Sequence, residues 1–174
     1  MQMPSAVYGA DSLKDVKEKY LPLLFNIFLN LYWTFSADPC YHYQSLSDAT
    51  RKSSYITPQY QEVCDDQLPE ERYRFVGAAG TKMPTARVPA FRCGTSWSGW
   101  LDGAHPTVED GNVSRTVCFS DRYSGCKAIK NISVINCGSY FIYKLFRPPD
   151  CYMRYCATDW MSSKYSSRNK KVHK

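Results

Sequence analysis

The chain has 174 residues, 44% of them hydrophobic, and carries 22 Lys and Arg against 16 Asp and Glu for a net charge of +6. That length suits one domain of ordinary size with flanking segments, and the apolar content is enough for a buried core. Residues 38–160 carry 14 basic and 13 acidic side chains, interspersed, while residues 161–174 carry five basic and none acidic, so the domain has no footprint for nucleic acid or an anionic membrane surface.

Residues 1–37 form a candidate export signal. No charged residue stands between Lys19 and Asp38; Lys14, Lys17 and Lys19 precede an apolar core from Leu21 to Trp33, and the small residues Ser36 and Ala37 follow. A basic flank, an apolar core and a small-residue site is the layout of a secretory signal peptide. Cleavage near Ser36 or Ala37 is the expectation and a retained signal anchor the alternative, although Pro22, Asn26 and Asn30 make a poor permanent span. The membrane is reached only through an uncleaved leader or a partner.

Residues 38–158 are expected to be mostly β: a small, disulfide-rich extracellular domain with short strands and long loops. Arg51 to Asp66 has a weak helical pattern, enough for one turn. Asp65 and Asp66 read as a solvated turn, since adjacent side chains diverge on regular structure. Tyr73 to Val76 is a strand candidate, and prolines at 84, 89 and 106 with glycines at 77, 80, 94, 99, 103 and 111 then cut the chain into short elements. Trp97, Trp100 and Leu101 around Gly99 form a candidate binding loop, joined by His105; core packing competes with that reading, because Trp is largely buried on average. His105-Pro106 is expected to close a turn with the imidazole hydrogen-bonded locally.

Two glycosylation sequons follow, Asn112-Val113-Ser114 in a polar, turn-like stretch and Asn131-Ile132-Ser133 at the start of an expected strand, where Asn131 must face solvent to be modified. Ile129 to Asn136 and Tyr140 to Phe146 are rich in β-branched and aromatic residues around the turn signal Gly138-Ser139, which predicts a hairpin. Residues 159–174 are polar, basic and without periodicity, and are expected to be disordered.

Eight cysteines, Cys40, Cys64, Cys93, Cys118, Cys126, Cys137, Cys151 and Cys156, lie within the expected domain, an even number at wide spacings. That is the signature of a disulfide framework in an oxidising compartment. Structural zinc sites bring closely spaced ligand pairs, and no Cys-x-x-Cys occurs, so no metal is expected. Spacing alone leaves the pairing open.

Several short motifs recur in order along this stretch. They are Asp38-Pro39-Cys40, Tyr73 to Gly77, Lys82-Met83-Pro84, Arg92-Cys93, Trp100 to Pro106, Ser124-Gly125-Cys126, Cys137-Gly138 and Cys151 to Cys156. In these, residues 38–158 resemble the cysteine-rich domain of the uromodulin, pancreatic zymogen-granule membrane glycoprotein and oncoprotein-induced transcript three family. The resemblance implies pairs Cys40–Cys137, Cys64–Cys151, Cys93–Cys156 and Cys118–Cys126. It implies the loss of a fifth bridge of uromodulin, since Arg87 stands at one partner's place and only Cys126 remains of an adjacent cysteine pair. It also implies an extracellular, non-catalytic module, which in some members displays a mannose-rich glycan on an Asn-Gly-Thr-His-Pro motif. Here Asp102-Gly103-Ala104-His105-Pro106 stands instead, so that sequon is lost at both its Asn and its Thr.

His42, Ser96, Asp102, His105, Asp65 and Asp66 contain the residue types of an enzyme, but no catalytic or cofactor motif joins them. The expectation is therefore a secreted or cell-surface non-catalytic recognition or matrix module, glycan-presenting in the manner of uromodulin, with no cofactor. Its partner would be an extracellular protein or a glycan-binding partner. A secreted inhibitor or toxin-like binding protein is the alternative.

Overall fold

The computed structural model describes Glu18, residues 20–29 and residues 38–159. The chain divides into two compact units, Met1–Tyr41 and His42–Lys174. In the first, residues 20–29 are helical with exposed side chains, and among the described residues no helix is long and apolar enough to cross a membrane. The expected cleavage site at Ser36 and Ala37 lies outside the described residues, as does the basic tail from Trp160 onward.

The second unit is built on a seven-stranded mixed sheet. Its strands are β1 (Gln44–Leu46), β2 (Arg72–Phe75), β3 (Trp97–Asp102), β4 (Asn112–Ser120), β5 (Ala128–Asn136), β6 (Phe141–Lys144) and β7 (Met153–Tyr155). They lie in the order β1-β2-β6-β5-β4-β3-β7. The four inner pairings are antiparallel, and the outer ones, β1 with β2 and β7 with β3, are parallel.

Register follows from side-chain alternation. Val113 faces Val134, Val117 faces Lys130 and Phe119 faces Ala128 across β4 and β5; Val117, Phe119, Ile132 and Val134 of this region join one core. Slipping either strand by one residue would expose them. The β5–β6 hairpin turns at residues 137–140, where Gly138 takes a φ of 81° that a side chain would resist. The core is unusually phenolic: Tyr73, Tyr143 and Tyr155 are buried in it, and each hydroxyl is partnered. Tyr73 donates to Pro69 O (2.8 Å), Tyr155 donates to Phe146 O (2.7 Å), and Tyr143 accepts from Met83 N–H (3.0 Å). Edge-to-face packing of Phe75 on Tyr143 and Phe119 on Tyr155, with centroids 5.4 and 5.5 Å apart, fills the space between the strands.

The helical turn expected within Arg51 to Asp66 is displaced: a short 3-10 turn spans Ala49–Arg51, capped by Asp48, whose side chain accepts from Thr50 N–H. A capping Asp ahead of the apolar pattern set this position.

Gly99, central in β3, has no room for a methyl group. A Cβ there would lie 2.7 Å from Phe119 Cε1 and 2.8 Å from the Arg154 carbonyl oxygen, the latter being backbone on the neighbouring β7. Gly99→Ala is expected to cost about 1–3 kcal/mol by overpacking, read as a lowered thermal midpoint of the purified protein.

Candidate functional site

Cys64 is bonded to Cys151, Cys93 to Cys156 and Cys118 to Cys126, at sequence separations of 87, 63 and 8. Cys40 and Cys137 are likewise disulfide-bonded, and no cysteine is free among the described residues. Arg87 lies against the turn that precedes Cys126: a Cβ built on Gly125 would lie 3.5 Å from Arg87 Nε and Cζ.

Beside the Cys93–Cys156 bridge runs a chain of four charges. Arg51 donates two hydrogen bonds to the carboxylate of Asp65, at 2.8 and 2.6 Å, and Asp65 also accepts from Tyr155 N–H at 2.9 Å. Arg154 donates to Asp48 (2.6 Å), to Thr50 Oγ1 (2.7 Å) and to Cys93 O (3.0 Å), while its Nε stands 3.9 Å from Asp65. Burial of Asp48 works against ionisation, but the hydrogen bonds from Arg154 and Thr50 outweigh it and hold the carboxyl at about 2. Burial first, then the neighbouring Arg51, pull the Arg154 guanidinium below its usual value.

This network corrects the reading of Asp65-Asp66 as a solvated turn. Asp65 is 2% exposed, and only Asp66 is partly solvated, accepting from the Gln67 side chain. No local signal in the sequence could have found it, since Asp48 and Arg154 are 106 positions apart.

The candidate binding loop is a strand. Trp97, Trp100 and Leu101 all lie in β3. Leu101 is fully buried and offers nothing to a partner. Trp100 is half-buried on the small cluster of Val88, Cys93 and Cys156 and donates its indole N–H to Ser120 Oγ at 3.0 Å. Trp97 packs one edge on the main core and keeps the other open.

His105 does not bond locally, as its turn position suggested, but reaches Tyr143 across the fold, with Nε2 2.8 Å from the phenolic oxygen. The Met83 N–H also donates to that oxygen; a phenol O–H that donates to Nε2 goes with the neutral Nδ1–H tautomer. Burial, then the charges of Lys82 and Arg115, push His105 down to about 4, and burial pushes the Tyr143 phenol up. A folded histidine below the ordinary 6.5 stays neutral while the unfolded chain takes up a proton, so its stabilising share is whole above pH 6.5 and shrinks as pH falls toward 4. His105→Gln is therefore expected to flatten the fall in urea stability between pH 6.5 and 4, a slope obtained from denaturation curves at each pH.

The two sequons share one sheet face. Asn112 opens β4 rather than sitting in a turn, and Asn131 lies within β5 with an exposed side chain. Ser114 pairs directly with Ser133, and Asn131 with Thr116, so by strand alternation Asn112, Ser114, Asn131 and Ser133 project from the same side. Asn112 accepts from Ser133 Oγ, and Asn131 accepts from Thr116 Oγ1 at 3.1 Å.

Three of the enzyme-type residues have structural partners. Ser96 donates to Glu62 at 3.3 Å, Asp65 holds Arg51, and His105 meets Tyr143. The grouping Cys64, Asp66 and Cys151 brings ligand atoms together among the described residues, but both sulfurs belong to one disulfide and offer no thiolate.

Seven strands over an aromatic core, stapled by disulfides, define an extracellular-type disulfide module. Residues 73–157 fit the family model of the uromodulin-like domain, and the chain carries a domain of that family. It is 42% identical over 123 residues to the pancreatic secretory granule membrane major glycoprotein GP2 of Mus musculus, covering 68% of this chain and 23% of that protein. The Canis lupus familiaris form is 38% identical over 128 residues, covering 73% of this chain and 25% of that protein. Uromodulin of Mus musculus is 38% identical over 120 residues, covering 68% of this chain and 18% of that protein. The matched segment thus spans a quarter or less of the length of these curated relatives.

Proposed function

We propose that the chain is a secreted or cell-surface, non-catalytic recognition or matrix module that presents glycans on Asn112 and Asn131. The observation that carries this reading is the complete engagement of the described cysteines in disulfides, which form and persist in an oxidising compartment. Residues 1–37 deliver the chain there. The sequon geometry supports display, because both asparagines leave the same sheet face and stand four residues apart in register, on the order of 13 Å along the strands. Two glycans therefore fit side by side. The names of the relatives, a secretory granule membrane glycoprotein among them, point the same way.

Non-reducing peptide mass spectrometry of protein from the medium of a eukaryotic secretory host tests the reading. Four bridges, a new N-terminus near Ala37 and a glycan on Asn112 or Asn131 are the expected result. Retention in the cell with free thiols would overturn it.

A further inference from the structure

We infer that an aromatic groove on the surface of the second unit is a binding site for an acidic saccharide, a sugar ring carrying a carboxylate. The inference gives the recognition module its ligand and rests on that reading. Two clefts of about 460 and 470 Å³ adjoin and share Phe91 and Arg122. Their ring walls are Tyr60, Phe91, Trp97, Tyr123 and Tyr152. Tyr60 and Tyr123 are 88% and 89% exposed and Tyr152 56%, a density of bare aromatic surface that folding alone gives no reason to keep.

Three observations converge on a ligand. First, the backbone at the groove is strained: Tyr60 and Phe91 hold φ of 64° and 60°. Such geometry persists where the surroundings impose it, and it clusters at binding sites. Second, Arg122 and Lys127 stand in the lining beside two carboxylates, Asp121 and Glu62, that are hydrogen-bonded to neutral donors. Asp121 accepts from Tyr123 N–H (3.0 Å) and Ser124 Oγ (2.8 Å), and Glu62 accepts from Ser96. Arg122 lies over the Phe91 ring at 5.1 Å and is exposed, and neither Arg122 nor Lys127 makes an ion pair among the described residues. A guanidinium fork suits a carboxylate.

Third, the main chain lining the groove is already paired. Phe91 N–H bonds Ser96 O, Phe91 O accepts from Thr57 N–H, and Trp97 N–H bonds Tyr152 O. An extended peptide would find no open ladder to join. Ring faces and the exposed Arg122 fork accommodate a flat-sided, acidic sugar: its C–H face lies on a ring and its carboxylate on Arg122.

The test titrates ¹⁵N-labelled, disulfide-complete secreted protein with 3′-sialyllactose, with lactose, and with a hexaglutamate peptide. Sialyllactose is expected to shift the amides of Phe91, Trp97, Arg122 and Tyr123, and to bind about tenfold more tightly than lactose. Arg122→Gln and Tyr123→Ala, both surface changes, should each weaken it about tenfold without moving the thermal midpoint. No shifts with sialyllactose, shifts outside the groove, indifference to Arg122→Gln, or tighter binding of the peptide would each overturn the inference. Protein that is secreted with every bridge formed but ignores the sugar sinks this site alone; protein retained with free thiols sinks the module reading.

Discussion

Asp65→Ala is expected to be the most damaging single carboxylate change in the domain, destabilising it by about 3–5 kcal/mol. The carboxylate accepts two hydrogen bonds from Arg51 and one from Tyr155 N–H, and stands 3.9 Å from Arg154 Nε. Removing it leaves two buried guanidiniums close together, with the half-exposed Asp48 as the one anion near them. Arg154 Nε has no hydrogen bond even in the intact protein, so it depends on this charge. A loss of that size is a large part of the stability of an ordinary domain. Asp66→Ala, one residue on, should change stability by no more than about 0.5 kcal/mol. Equal urea midpoints for the two variants would show that the ion chain is not what holds these loops.

The second large effect is covalent. Cys93→Ala combined with Cys156→Ala opens a loop of 63 residues, for which the chain-entropy relation gives about 4 kcal/mol. The same treatment of Cys118 and Cys126, 8 residues apart, gives about 2.5 kcal/mol. Replacing both partners avoids a stray thiol, and since Cys93 and Cys156 are fully buried, their removal adds a cavity to the entropic loss. Urea denaturation should rank the two double variants in that order. A larger loss for the short bridge would contradict the account.

Local signals carried much of the fold. The hairpin of residues 129–136 and 140–146 appears as β5 and β6, and Tyr73 to Val76 as β2, because alternation and a Gly turn act over a few residues. β4, with Arg115 and Thr116 amid its apolar positions, was not distinguished from loop: its register depends on β3 and β5, not on its own composition. β3 was read as a loop because Gly99 resembled punctuation, whereas it marks the close approach of Phe119 and the Arg154 carbonyl. The groove was half legible. Trp97 was singled out, but Tyr60, Phe91, Tyr123 and Tyr152 come from four separate stretches of chain that only the fold assembles. The ion chain was not legible at all, for an acid beside a cysteine looks alike whether buried or bare.

The last strand of the sheet in chain order completes contacts begun by residues far upstream. β7 supplies Arg154, is flanked by Cys151 and Cys156, and lies parallel to β3 at the edge of the sheet. A nascent chain that has emerged only as far as residue 150 therefore displays Cys64 and Cys93 as bare thiols, with Asp48 and Asp65 lacking one of their cations. Synthesis proceeds at about 5–20 residues per second, so this half-finished form lasts until β7 arrives. The Cys64 and Cys93 bridges and the Arg154 contacts therefore close only once β7 and its flanking cysteines have been made.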